Sequence, residues 1–262
     1  TAYEKRGIAV TIPEWQIERC IQCNQCSFVC PHAVIRPFLL DQQEMEGAPQ
    51  SFKTKKAIGK GIDHFGYRIQ VSPLDCTGCG NCADVCPAPE KALVMRPADQ
   101  EIAKEKDNWL YAQQITSKED YVNWQTLKNS QFRTPLFEFH GACPGCGETP
   151  YIKLLTQLFG ERMLIANATG CSSIYGGSAP SFPYSVNSQG EGPAWANSLF
   201  EDNAEFGFGM RLGGKYREGR LRQLVEQLVA ENSLSQGAKD ACLEWLEHRC
   251  DSLASAQVGK RL

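Results

Sequence analysis

The chain has no run of about twenty apolar residues, so no segment of it is expected to cross a bilayer. It also lacks a basic excess. The 27 Lys and Arg stand against 30 Asp and Glu, and a net charge of −3 gives no overall field for nucleic acid. No apolar signal segment precedes the first cysteines and the total of 13 Cys is odd, so a secreted disulfide scaffold fits poorly and a reducing, cytoplasmic setting is expected. A disorder signature is missing too, because 42% hydrophobic and 22% charged residues are ordinary for folded chains; 262 residues suggest about two domains. There is no initial Met: Thr1 leads straight to Tyr3-Glu4-Lys5-Arg6, and Lys260-Arg261-Leu262 closely follows a helical stretch, so a piece of a longer protein is expected.

What the chain does have is a duplicated cysteine block. Cys20, Cys23, Cys26 and Cys30-Pro31 recur as Cys76, Cys79, Cys82 and Cys86-Pro87, giving C-x2-C-x2-C-x3-C-P twice. Three thiolates two residues apart wrap three corners of a [4Fe–4S] cubane, and the fourth points to the other cluster. The expected ligand sets are therefore Cys20, Cys23, Cys26 and Cys86 for one cluster, and Cys76, Cys79, Cys82 and Cys30 for its partner. Zinc prefers two separated pairs or a Cys/His mixture, which these compact blocks do not supply. Such a module carries electrons one at a time.

Short β-rich stretches flank the blocks. Ile8 to Ile12 enters the first, interrupted by Pro13; Ala33 to Leu40 leaves it; Tyr67 to Val71 enters the second and Ala92 to Met95 leaves it. Residues 41–62, with Gly47, Pro49 and the run Lys53, Lys55, Lys56, read as an inserted surface loop. A short charge run like this is ordinarily solvated, and docking of an acidic electron carrier is the alternative. The first domain thus spans 1–96, and a polar but aromatic connector, 97–133, is expected to pack over a larger body.

A second domain, 134–262, starts near Thr134. Thr149 and Pro150 read as the N-cap and first residue of a helix whose apolar face carries Ile152, Leu154, Leu155, Leu158 and Phe159, with Gly160 as its stop. A buried strand, Met163 to Ala166, then opens through Asn167 and Thr169 into a Gly/Ser-rich loop (Ser172, Ser173, Gly176, Gly177, Ser178), which suggests α/β architecture with ligands beyond the strand end. Cys143, Cys146 and Cys171 flank this helix and strand as a third cysteine constellation, one ligand short of a cubane. Cys242 and Cys250, eight apart on an expected amphipathic helix, read as ordinary core or surface thiols. Gly207, Gly209 and Gly213 lack dinucleotide-fingerprint spacing and read as packing or turn glycines.

Four stretches together resemble a known family: I-E-R-C-I-Q-C-N-Q-C-S-F-V-C-P-H-A (Ile17 to Ala33), D-C-T-G-C-G-N-C-A-D-V-C-P (Asp75 to Pro87), G-A-C-P-G-C-G-E-T-P (Gly141 to Pro150) and A-N-A-T-G-C-S-S-I-Y-G-G-S-A-P (Ala166 to Pro180). The chain resembles the pyruvate:ferredoxin (flavodoxin) oxidoreductases, the thiamine-diphosphate and iron–sulfur 2-oxoacid oxidoreductases, to about Leu212. The resemblance implies an α+β chain: a two-cluster ferredoxin-like domain followed by the beginning of an α/β thiamine-diphosphate-binding domain with C-terminal helices. It further implies that Cys143, Cys146 and Cys171 hold a third cluster whose fourth ligand lies far downstream. Glu148, Cys171, Thr169 and Asn167 would contact thiamine diphosphate, which binds with Mg2+ in the full-length enzyme. For Glu148 the plain alternative is an acid favoured at a positive helix end. The G-D-G-type motif that holds metal and diphosphate in the family is absent. The implied reaction is oxidative decarboxylation of pyruvate with coenzyme A, electrons passing singly to ferredoxin or flavodoxin, in an enzyme expected to be a homodimer at full length. Two readings compete with it: a stand-alone polyferredoxin, and a zinc-stabilised interaction module.

Overall fold

The computed structural model describes residues 5–177, 182–231 and 234–259. The chain divides into two compact units, Thr1–Phe200 and Glu201–Leu262.

In the first unit the two cysteine repeats interlock. Strand β1 (Thr11–Trp15) enters the first block, helix α1 (Gln25–Val29) lies within it, and β2 (Ile35–Leu40) leaves it. After a short strand β3 (Lys55–Lys56), β4 (Gly66–Val71) enters the second block, α3 (Asn81–Asp84) lies within it and β5 (Leu93–Pro97) leaves it; α2 (Gln42–Glu46) sits between the halves. Pairing crosses between repeats. The strand entering the first block pairs antiparallel with the one leaving the second, Pro13 opposite Met95, and β2 pairs with β4, Ile35 opposite Val71. Ile12, Ile35, Tyr67, Ile69, Val71 and Leu93 form one core with the buried thiols.

Strand β1 runs through Pro13 instead of stopping there. The two-stranded ribbon has an open edge, where a residue without an N–H is tolerated. The 41–62 segment is also more ordered than a solvated loop. A capping box closes α2, with the Glu44 N–H on Asp41 Oδ1 (2.9 Å) and the Asp41 N–H on Glu44 Oε2 (3.0 Å). Phe52, Ala57 and Ile62 are buried, and β3 joins β4 as a third strand. Its apolar residues anchor it despite the polar background.

The connector packs down as expected. Helix α4 (Ala98–Ala112) buries Trp109, whose ring meets Phe139 edge-on at 6.1 Å. Arg68 of β4 pairs with Glu105 of α4 at 2.7 Å. A short α5 (Leu127–Ser130) follows. The compact unit then continues through Thr134, where the sequence suggests a new domain, because Leu136, Phe137, Phe139 and His140 are buried within it.

Helix α6 (Thr149–Phe159) is capped by Glu148, one residue earlier than expected, and Thr149 is its first helical residue. Its burial inverts the expectation. Lys153, Thr156 and Gln157 are buried, whereas Leu155 and Phe159 are exposed, because the polar side chains reach backbone groups of the cysteine module and connector. Strand β6 (Leu164–Ala168) forms, but it has one parallel neighbour, β7 (Ala194–Ser198), and is half-exposed instead of buried. The Gly/Ser segment is a short helix, α7 (Cys171–Gly177), in place of a loop; Ser178 lies outside the described residues.

The second unit is helical: α8 (Asn203–Ala230), α9 (Gln236–His248) and α10 (Ser252–Gly259). Gly207, Gly209 and Gly213 lie inside α8, and a side chain at Gly209 or Gly213 would meet open space, so these two neither turn nor pack. Cys242 is buried on α9, as a core thiol, while Cys250 is exposed beyond that helix and does not share it.

Candidate metal and cofactor site

Cys26, Cys30, Cys76, Cys82 and Cys86 are buried, and Cys20, Cys23 and Cys79 are half-buried. The fields they exert on one another sort them into two neighbouring groups. Burial pushes the Cys26 thiol well above its usual range, and the charges of Cys20, Cys23 and Cys86 push it further. Burial drives Cys76 up to about 12, with Cys30 and Cys79 adding to the rise. Cys82 is raised by burial and then by Cys30, Cys26, Cys76 and Cys79. Cys30 thus lies with the first three cysteines of the second repeat, and Cys86 acts on Cys26 of the first, although Cys82 feels Cys26 as well. Cys30, Cys76, Cys79 and Cys82 line one narrow cavity, with His32 and Thr77 on its wall. Burial favours the protonated form of Cys26, Cys76, Cys79 and Cys82, and a cationic metal centre reverses that preference by taking thiols as thiolates. Among the described residues no three His, Cys, Asp or Glu side chains converge on a single-ion site. In a cubane, each thiolate binds a different iron.

Each cysteine loop needs two left-handed residues, two positions apart, and the two loops match in role though not in residue type. In the second repeat they are Gly78 (φ 72°) and Gly80 (φ 83°); in the first they are Gln22 (φ 59°) and Asn24 (φ 60°). The glycines adopt that region freely, while the other two are held there by their buried side chains. Gln22 donates to the Lys56 carbonyl (2.7 Å) and accepts from the Ile58 N–H (2.8 Å); Asn24 donates to the Lys128 carbonyl (2.8 Å) and accepts from the Tyr67 hydroxyl (2.6 Å).

Lysines close the loops from outside. Lys55 donates to the carbonyls of Ile17 (2.9 Å) and Cys20 (3.1 Å). Lys91 donates to Asp84 (2.7 Å) and Cys86 (2.8 Å), and in the first repeat the matching role falls to Lys153 of α6, whose ammonium reaches the carbonyls of Ser27, Phe28 and Cys30. Lys153 is fully buried; desolvation pushes it down to about 8, with Cys30 opposing. The spacing of the cysteines carried no hint of these lysines, and the repeat alignment of Gln22 with Gly78 was the one sequence signal that pointed to the strained turns.

Two loops approach this module from the third constellation. Gly145, at φ 76°, turns the Cys143–Cys146 loop so that a β-carbon there would lie 3.7 Å from Cys79 Cβ, and its N–H is directed at the Cys79 sulfur. Cys146 is half-buried, while Cys143 and Cys171 are exposed. Glu148 faces two phenols: burial, then Glu148, raises Tyr175 above its ordinary range and brings Tyr184 up to about 12. The field on Tyr175 also includes Cys146, which brings α7 up to this loop. The Thr149 hydroxyl is buried without a hydrogen-bond partner among the described residues. Asn167 and Thr169 stand apart from Glu148 in their bonding: Asn167 Nδ2 donates to Asn197 Oδ1 (2.8 Å) and Thr169 to the Ser198 carbonyl (3.1 Å), both on β7. They mark the carboxyl ends of two parallel strands, with Cys171 starting the helix beyond.

Two interlocked C-x2-C-x2-C-x3-C-P repeats define a class, the two-cluster iron–sulfur electron carriers, and residues 19–89 match the 4Fe-4S dicluster domain family. Similarity extends well past that module. The chain is 59% identical over 262 residues to pyruvate:ferredoxin oxidoreductase of Moorella thermoacetica, covering 100% of this chain and 22% of that protein. It is 52% identical over 263 residues to pyruvate-flavodoxin oxidoreductase of Klebsiella pneumoniae, with the same 100% and 22% coverage. It is 51% identical over 247 residues to a mitochondrial pyruvate dehydrogenase [NADP(+)] of Euglena gracilis, covering 94% of this chain and 14% of that one. The chain belongs to the pyruvate:ferredoxin (flavodoxin) oxidoreductase family and spans about a fifth of the length of its bacterial relatives named here.

Proposed function

We propose that this chain is the electron-transfer and partial cofactor-binding portion of an enzyme that oxidatively decarboxylates pyruvate with coenzyme A. Acetyl-CoA and carbon dioxide are the products, and single electrons leave through [4Fe–4S] clusters to ferredoxin or flavodoxin. The observation that most supports this reading is the cavity that Cys30 of the first repeat lines together with Cys76, Cys79 and Cys82 of the second. Cys20, Cys23, Cys26 and Cys86 hold one cluster; Cys76, Cys79, Cys82 and Cys30 hold the other.

Cys143, Cys146 and Cys171 hold three corners of a third cluster. Gly145 lies against Cys79, which makes the Cys79 cluster its nearest neighbour and orders the path from the Cys143 centre through the Cys79 cluster to the Cys20 cluster. Ile21, between Cys20 and Cys23, is 52% exposed, which favours this edge for exit to an acceptor. The partnerless hydroxyl of Thr149, with Tyr175 facing Glu148, fits one side of a polar cofactor. Glu148, with Asn167, Thr169 and Cys171 at the strand ends, would hold thiamine diphosphate with its Mg2+. When bound, that group supplies the electron sink for decarboxylation. The thirteen free thiols favour the reducing cytoplasm, and the intact enzyme is a homodimer in this reading.

Anaerobic reconstitution followed by iron, sulfide and zinc analysis tests the reading. About eight irons per chain, and a spin signal after dithionite, are expected from the two complete sites, and about twelve where the third site is completed. A colourless, zinc-loaded protein would defeat it.

A further inference from the structure

Between the Cys143 loop and the nearer cluster loop lie two histidines that cross. His32, two residues past Cys30, points its Nε2 at the carbonyl of Ala142, the residue before Cys143, at 2.9 Å. His140 reaches the opposite way, its Nε2 2.6 Å from the carbonyl of Pro31, the residue after Cys30. The rings stack on each other with centroids 4.4 Å apart, and Phe137 stacks on the far face of the pair at 4.6 Å from His140. Both histidines are buried.

Every ring nitrogen is engaged, and the partners set its protonation. A carbonyl only accepts, so Nε2 carries the proton in both rings. The Ala142 N–H donates to His140 Nδ1 at 3.2 Å, so that atom accepts, and the Thr77 hydroxyl, which can donate, lies 3.5 Å from His32 Nδ1. Two neutral rings can stack without repulsion, and neither has a nitrogen left over for proton transfer.

We propose that His32 and His140 are paired positioning residues that set the gap between the Cys143–Cys146 centre and the cluster of Cys30, Cys76, Cys79 and Cys82. Their hydrogen bonds end on residues directly bonded to Cys143 and Cys30, so each ring transmits the position of one thiolate to the loop carrying the other. In the step they support, one electron leaves the Cys143 centre and one enters its neighbour; no proton moves through the rings. This inference rests on the reading that the Cys143 loop carries a cluster.

The test uses the full-length protein, loaded anaerobically, as wild type, His32→Phe and His32→Gln. His32→Phe keeps a ring in the stack and removes both hydrogen bonds; His32→Gln restores a donor toward Ala142. Iron content, the spin-coupling pattern of the dithionite-reduced clusters, and the rate of dicluster reduction after mixing with pyruvate, thiamine diphosphate and coenzyme A are measured. Expected for His32→Phe are full iron, an altered coupling pattern and reduction about tenfold slower, equivalent to about 1.4 kcal/mol of barrier. His32→Gln returns both readouts toward wild type. Unchanged coupling and rate in His32→Phe with full iron overturns the inference. Should that variant lose iron, His140→Phe, which keeps a ring in the stack and removes the bond to the Pro31 carbonyl, takes its place with the same two outcomes. A wild-type protein with only about eight irons overturns the third-centre reading and this inference with it; three centres whose coupling ignores these variants overturns this inference alone.

Discussion

Gln22 and Asn24 hold the left-handed backbone that Gly78 and Gly80 adopt without constraint, and both pay for it with buried hydrogen bonds. Asn24→Ala removes the partners of the Tyr67 hydroxyl and the Lys128 carbonyl and leaves a strained φ, so a loss of about 2–4 kcal/mol in a denaturant titration is expected. Asn24→Gly relaxes the backbone and should cost visibly less. Lys153 acts on both stability and charge. Its ammonium serves the carbonyls of Ser27, Phe28 and Cys30, and Lys153→Met leaves those acceptors dry, at about 2–4 kcal/mol. The same change removes a buried positive charge beside Cys30. Spectroscopic potentiometry should then show the Cys30 cluster reduced at a more negative potential, with the Cys20 cluster shifted less, since Cys30 acts more strongly than Cys26 on this lysine.

The interlocked ribbons explain why neither repeat is self-sufficient. Because β1 pairs with β5 and β2 with β4, every cluster loop is entered by one ribbon and left by the other, which, in the proposed assignment, delivers Cys30 and Cys86 across the pseudo-symmetric pair. Cys86→Ser therefore removes a ligand from the Cys20, Cys23 and Cys26 cluster although it lies in the second repeat. Iron analysis with spin spectroscopy should show that cluster degraded and the Cys76, Cys79, Cys82 and Cys30 cluster retained; the reverse pattern would mean that each repeat closes on itself. The same elements show where periodicity misled. Helix α6 has an apolar face, yet it docks by Lys153 on cysteine-loop carbonyls, by Gln157 on the Arg133 carbonyl and by Thr156 accepting the Leu136 N–H, because irregular backbone presents polar groups where an ordinary core presents side chains. The 41–62 segment looked polar, yet Phe52, Ala57 and Ile62 pin it down.

Within its first unit the chain holds an almost closed dicluster module beside an open region around Glu148. Strands β6 and β7 form a parallel pair with Leu164 65% exposed, although parallel sheets are normally covered on both faces. In the second unit, α8 buries only Val225 and exposes Phe208, Leu212 and Tyr216. The module that moves electrons is thus complete in its thiols, whereas the region around Glu148 offers a partial set of contacts. Accordingly, the isolated chain with pyruvate, thiamine diphosphate, coenzyme A and a viologen acceptor should show no turnover, while dithionite still reduces its paired clusters. Measurable pyruvate oxidation by this chain alone would refute the partial-site reading.

The iron–sulfur chemistry was legible in the linear order of residues because cubane ligation is a spacing rule: thiolates two and three apart on one loop reach defined corners, and duplication supplies the exchange. The G-A-C-P-G-C-G-E-T-P motif likewise placed Cys146 and Glu148 in one loop, since neighbours in sequence remain neighbours in space. Contacts between distant segments obey no such rule. Lys153 on Cys30, 123 residues apart, and His32 on Ala142, 110 apart, depend on which loops the crossed ribbons bring together. Those placements follow from burial and backbone hydrogen bonding summed over the folded unit, so folding alone decided them.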